Sequence, residues 1–284
     1  MLCKVLIENM GMREGGAAIA TTVTHGLNMI IGDAGVRWTS SKDFKDMIFM
    51  YDRTVFKDVG IYLKIGIPGM LMLCFEWWAF EVLAIFTGLL SVEELAAEVV
   101  IINLISVIFM LPLGISYSAS ALTGNYLGQG NVKLAKQYAV MTIVFNVFCT
   151  SIVVALIGIF KTQVSFIFTS EPMVVSQFQD ATWVLLIYIW FDTIHGVQSG
   201  IIRGLGRQFY GSMYTLFCYY ILGMPLALVL CFTAKMGIQG LWLGFSIACI
   251  VLDIGFAFII IVPNWQEISD KARDDNMKRA EEQR

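Results

Sequence analysis

The chain has 284 residues, 57% hydrophobic and only 14% charged, where soluble domains run roughly 45–50% apolar and about 25% charged. With a mean hydropathy of +0.73, this composition excludes a soluble globular domain. The net charge of −3 and scattered basic residues give no footing for nucleic acid. Five of the six cysteines (Cys74, Cys149, Cys218, Cys231 and Cys249) fall in apolar runs without metal-ligand spacing, so they read as small core hydrophobes. The opening MLCKVLIENM lacks an apolar stretch of signal-peptide length.

In chain order, a weak apolar segment spans 15–31 and is expected to end at Gly32-Asp33-Ala34-Gly35. A mixed-charge loop is expected over 32–59. Six strong apolar segments follow, at about 60–90, 95–122, 138–160, 182–202, 209–233 and 237–262. Each is long enough for a helix to cross the hydrocarbon core, which takes about 20 residues. Short polar links such as Ser91–Glu94 and Gly124–Lys136 join them, and a polar tail over 263–284 reads as a solvated helix or extension. Arg37, Lys42, Lys45, Arg53, Lys57, Lys133, Lys136, Arg203 and Arg207 fall on one side, with the tail's Lys271 and Arg273. Lys161 and Lys235 fall on the other. The positive-inside rule makes the first side, with the tail, cytoplasmic. The chain is therefore an all-α polytopic membrane bundle.

Within the first strong segment stands Cys74-Phe75-Glu76-Trp77-Trp78-Ala79-Phe80-Glu81. One carboxylate at the centre of a membrane helix costs roughly 2.5–3.5 kcal/mol on insertion scales, and here there are two. Glu76 shares a helix face with Phe80, and Glu81 with Trp77. The two acids themselves lie about 140° apart around the helix. An anion beside an aromatic ring suits an organic cation, through charge and a cation–π contribution of about 0.5–2 kcal/mol. A proton can compete for the same carboxylate, which is the minimum requirement for exchange. In the fourth segment, Asp192 lies between Trp190-Phe191 and His195, and intramembrane Asp and His are components of proton relays. Asp253 is a fourth intramembrane acid. Gly196, Gly200 and Gly204 recur every four residues, permitting close helix approach. Pro68 and Pro225 are candidates for kinks. The sequence has no nucleotide-binding loop, zinc spacing or serine-nucleophile elbow. Neither an enzyme, a metal centre nor a cofactor is expected, and an ion gradient would supply the energy.

Pro68 to Glu81, reading PGMLMLCFEWWAFE, resembles the start of the second lobe in eukaryotic members of the multidrug and toxic compound extrusion (MATE) family. The resemblance continues through Pro112-Leu113-Gly114 and Asn125-Tyr126-Leu127-Gly128-Gln129-Gly130. It extends to the stretch Gln198 to Gln208 (QSGIIRGLGRQ), to Pro225, and to Gly240-Leu241-Trp242. It implies an all-α membrane fold of six strong transmembrane helices equivalent to one lobe, plus a partial preceding helix. The boundaries so implied are 1–31 for the remnant of the helix ending the first lobe, 32–59 for a cytoplasmic inter-lobe loop, 60–262 for the lobe, and 263–284 for a cytoplasmic tail.

The resemblance implies antiport: export of organic cations, drugs or metabolites against protons, with sodium the alternative ion. Glu76, Glu81 and Asp192 are then the proton and substrate positions. Asp192 replaces a Glu found in some members, and Asn103 stands where animal members carry an acid. Trp77, Trp78, Phe80, Trp190, His195 and Asn103 are cavity-lining candidates. The implied partners are the bilayer, small organic cations, and a first lobe supplied in cis or by a second chain. The implied location is the plasma membrane or a vacuolar or endosomal membrane. Two alternatives stand beside this reading: a dimerising or non-transporting half-transporter, and a lipid or polysaccharide flippase of the same superfamily. The acidic intramembrane charge disfavours the flippase.

Overall fold

The computed structural model describes residues 5–9, 11–39, 59–169 and 171–282. The chain divides into two units, Met1–Ile61 and Tyr62–Arg284. In the first, a π-helical turn at Val5–Asn9 precedes helix α1, Arg13–Thr39. The break expected at Gly32-Asp33-Ala34-Gly35 does not occur, and the helix continues to Thr39. Glycine inside a helix costs only about 1 kcal/mol relative to alanine, too little to stop a helix already nucleated. The rest of the expected 32–59 loop, residues 40–58, lies outside the described residues.

The second unit holds the other helices: α2 (Val59–Thr87, which begins just before the division), α3 (Val92–Gly128), α4 (Val132–Ile159) and the short α5 (Lys161–Phe168). Then come α6 (Pro172–Gly204), α7 (Gln208–Thr233), α8 (Gly237–Ile261) and α9 (Trp265–Glu282). Six of these, all but α5 and α9, are long and apolar enough to cross a membrane. Helices α3, α4 and α6 outrun their apolar segments because polar residues cap and extend their ends. Ser91 Oγ accepts from Glu94 N–H at 3.1 Å at the start of α3, with Glu93 and Glu94 in its first turn. Both features suit a helix N-terminus. Asn131 Oδ1 caps α4 through Leu134 N–H at 3.1 Å, and Pro172 opens α6. Helix α7 carries two π-helical stretches, Phe217–Gly223 and Val229–Thr233, on either side of the short α-helical piece that contains Pro225. The wider turns accommodate the proline ring and the backbone carbonyl that loses its donor because proline has no N–H.

Helix α6 is the centre of the lobe. It is the least apolar of the six spans yet 72% enclosed over its span window, against 17% for α4. Its polar side chains point inward and its neighbours shield them from lipid. Asn146 Nδ2 on α4 donates to the Thr193 carbonyl at 3.0 Å, and Thr150 Oγ1 to Thr193 Oγ1 at 2.9 Å. Against α3 the contact is closer still. A methyl on Gly200 would collide with the Ser116 carbonyl, and one on Gly204 would lie 2.8 Å from Ser120 O. Glycine spacing thus sets how near these two helices approach. The other core is aromatic: the Trp242 ring lies 6.0 Å from Phe80 and 5.0 Å from Tyr188.

The tail forms α9 and docks through its first turns. Trp265 is buried with Nε1 donating to Ile260 O at 2.8 Å, and Ser269 Oγ donates to Leu127 O at 2.7 Å. The expected solvated extension is therefore anchored to the lobe.

Candidate functional site

Tyr188, Asp192 and His195 stand at i, i+4 and i+7 on α6, which places them on one face. That face meets Glu76 of α2. His195 Nε2 lies 3.2 Å from Glu76 Oε2, and Tyr188 OH donates to Asp192 Oδ1 at 2.9 Å. All four residues are buried. The imidazole packs on Phe256 with ring centroids 5.1 Å apart, and its Nδ1 has no hydrogen-bond partner.

Two small cavities touch the cluster. One, of ≈ 10 Å³, is lined by Glu76, Asp192, Trp77, Phe80, Ser106 and Phe109 among others. The second, of ≈ 20 Å³, includes Glu76, His195, Ser116, Ser199 and Arg203 in its wall. Each is about the size that holds one water. Glu76 lines both, so a single carboxylate joins the Asp192 side to the side leading towards Arg203. There Arg203 donates to Ser116 Oγ at 2.8 Å, and Ser116 donates to the Gly196 carbonyl at 2.7 Å.

The structure thus gathers Glu76, Asp192 and His195, with Trp77 and Phe80 in a cavity wall. It does not gather the rest. Glu81 is exposed and does not line the water-sized cavities that Glu76 lines. Asn103 is exposed, and its Nδ2 donates at 2.7 Å to Val99 O on its own helix. Trp78 is exposed, edge-on to Phe75. Trp190 turns towards α4, donating to Ser151 Oγ at 3.3 Å. Asp253 is buried with neither carboxylate oxygen partnered.

Sequence reasoning passed over Tyr188, although its i, i+4 spacing to Asp192 marked it. It also passed over Glu98, which is fully buried and accepts from Trp242 Nε1 at 2.7 Å while its Oε1 has no partner. Glu98 falls near the start of the 95–122 apolar segment, close behind Glu93 and Glu94, and was not singled out. Glu94 itself reaches across to the start of α8, accepting from Ile238 N–H at 3.3 Å. Among the described residues no group of three or more His, Cys, Asp or Glu has metal-holding geometry.

The MatE family model matches residues 68–229, a stretch that includes Glu76, Glu98, Asp192, His195 and Arg203. The chain belongs to the MATE family. It is 33% identical over 269 residues to multidrug and toxin extrusion protein 1 of Danio rerio, covering 94% of this chain and 45% of the relative. It is 32% identical over 276 residues to Protein DETOXIFICATION 14 of Arabidopsis thaliana, covering 96% of this chain and 56% of the relative. The crystal structure of the eukaryotic MATE transporter AtDTX14 superposes with a TM-score of 0.89 at 31% identity, over 96% of this chain and 61% of that one. A MATE structure in a bent conformation shares the fold, with a TM-score of 0.72 at 19% identity, over 95% of this chain and 60% of that one. The chain spans about half the length of the curated relatives it matches.

Proposed function

We propose that this MATE chain supplies one lobe of a secondary antiporter that exports organic cations, drugs or metabolites in exchange for protons, without catalysing a reaction. The observation that carries this reading is the position of Glu76, which pairs with His195 and lines both water-sized cavities. Charge balance supplies the mechanism. The cluster holds two carboxylates and one imidazole, so even a protonated His195 can neutralise only one acid. The other must be neutralised by a proton or by a cation. Mutual exclusion of those two at one site is what couples opposite fluxes.

Tyr188 holds Asp192 in place, and the His195 edge gives the proton a second seat 3.2 Å from Glu76. Sodium is the alternative to the proton, so the identity of the coupling ion belongs to the proposal. Alternating access needs one lobe to rock against another, so a first lobe, in cis or as a second chain, completes the transporter. Cytoplasmic placement of the tail follows from the positive-inside rule.

The test is ΔpH-driven efflux of a fluorescent organic cation from proteoliposomes, with this lobe joined to the first lobe of a relative. Glu76→Gln is expected to abolish pH-driven efflux while leaving membrane insertion intact. Exchange at the normal rate in Glu76→Gln would remove Glu76 from the mechanism. Sodium-driven exchange without a pH dependence would replace the proton by sodium.

A further inference from the structure

On the Lys- and Arg-rich end of the lobe, α4 and α8 each pack against α6, and a cavity of ≈ 290 Å³ opens between them. Its walls are Ala139, Val140 and Ile143 of α4 and Ala257, Ile260 and Ile261 of α8; Gln198 of α6, Lys136 and Trp265 complete it. Nothing in the exchange mechanism uses this cavity. Gln198 is the unusual member. It is only 6% exposed, and its Oε1 has no hydrogen-bond partner. An amide so placed, in an otherwise apolar trough, can donate its Nε2–H to an acceptor, and offer its Oε1 to a donor, on whatever fills the trough.

A second apolar tract is the open outer face of α4 alone, formed by Gln137, Met141, Val144, Phe145 and Phe148. The two tracts share Lys136 and Val140. From Lys136 to Phe148 the helix rises about 18 Å, enough for an acyl chain to cross one half of the hydrocarbon core, about 15 Å. The outer tract is chain-length and the cavity takes about 10 Å of a second chain; two apolar tracts that meet at one ammonium match one kind of molecule, a diacyl lipid with a negative head group. The charge is available: among the described residues Lys136 has no carboxylate within ion-pair distance, and its Nζ sits 5.7 Å from the centroid of the Trp265 ring. Tryptophan beside a lysine at a membrane-helix end is the usual composition of the interface level. Gln198 lies six residues before the end of α6 and Lys136 four residues into α4, so both stand within about two turns of the same end of the bundle. That is the depth at which glycerol ester carbonyls lie below a phosphate, where they can accept from the Gln198 amide N–H.

We propose that the paired tracts on either side of α4 bind one anionic diacyl phospholipid, its phosphate on Lys136, its glycerol region on Gln198, and one acyl chain in each tract. The site is separate from the Glu76 cluster, and the proposal stands or falls independently of the transport reading.

The test uses the full chain, delipidated in detergent and titrated with phosphatidylglycerol or phosphatidylcholine of the same acyl composition, with bound lipid counted by native mass spectrometry. The wild type is expected to retain one phosphatidylglycerol in preference to phosphatidylcholine. Lys136→Glu should lower that preference by at least about fivefold, the weight of one basic residue at an anionic surface. Gln198→Leu should weaken retention of both lipids, and Val140→Trp, which intrudes on both tracts from an exposed position, should abolish the tightly held lipid. Equal retention of the two lipids with no effect of Lys136→Glu would overturn the proposal. So would displacement of phosphatidylglycerol by a sterol at equal concentration, or saturable binding of glycerol 3-phosphate alone as tight as that of the whole lipid. None of these readouts depends on transport.

Discussion

Replacing Trp242 by phenylalanine removes the single donor that, among the described residues, reaches Glu98, a residue with no exposed surface whose other carboxylate oxygen already lacks a partner. Two losses combine. Hydrogen bonds between membrane helices average about 0.6 kcal/mol and reach about 1.7 kcal/mol. A 2.7 Å bond to a fully buried acid belongs at the upper end of that range. The indole is also larger than the phenyl ring by about three heavy atoms, worth about 2 kcal/mol at roughly 0.8 kcal/mol per buried carbon-sized group. Trp242→Phe should therefore cost about 3–4 kcal/mol, with packing the larger share. A double-mutant cycle separates the two. With Glu98→Leu already present there is no acid to orphan, so Trp242→Phe should cost only the packing share, giving a coupling of about 1.5 kcal/mol. Equilibrium unfolding in mixed micelles, followed by circular dichroism, measures each corner of the cycle. A coupling below about 0.3 kcal/mol would refute the idea that the bond secures Glu98, whatever the single mutant does.

Gly200→Val should destabilise the lobe by at least about 1–3 kcal/mol, because the Ser116 carbonyl occupies the space of the new side chain; the melting temperature in detergent reports it. Glu81→Gln should leave stability within about 0.5 kcal/mol, since the side chain is exposed. Glu76→Gln exchanges an ionisable partner of His195 for an amide and should cost about 1–3 kcal/mol; equal melting curves for the two variants would contradict the burial described above. Ser269→Ala deletes the bond to Leu127 O and should loosen α9 by about 0.5–1.5 kcal/mol, visible as faster proteolysis of the tail with no change in the melting of the spans.

The six spans were legible in the sequence because hydrophobic length is a one-dimensional property. Where their ends fall was less so: α4 begins at Val132 and α6 at Pro172 because caps and polar turns, not apolar residues, set the termini. The cost of charge in hydrocarbon singled out Glu76, Glu81, Asp192 and Asp253, and the structure brings two of them, Glu76 and Asp192, to one cavity. Helical geometry also left open whether Glu81 joined them, and its exposure answers that. Proximity across the fold was not legible. Nothing in the spacing of Glu98 and Trp242, or of Glu76 and His195, announces that they touch, since each contact depends on how α2, α3, α6 and α8 rotate about their own axes. The aromatic neighbours of Asp192 in sequence misled for the same reason. Trp190 is only two residues away yet faces α4, while the ring that does contact Asp192 belongs to Tyr188, one full turn back.

The closest seam in the lobe joins α3 to α6, two helices that are not neighbours in the chain. A ribosome adding about 5–20 residues per second takes roughly 4–15 s to go from Gly128, the end of α3, to Gly204, the end of α6. During that interval α3 has no glycine groove to enter and the Ser116 hydroxyl has no Gly196 carbonyl to meet. Glu98 waits longer, because Trp242 is made last of the three. The tight interface of the finished lobe therefore leaves α3 without its closest partner during synthesis, with a carboxylate facing lipid or the insertion machinery. Biogenesis, more than the stability of the mature protein, is where substitutions along this seam should first be felt.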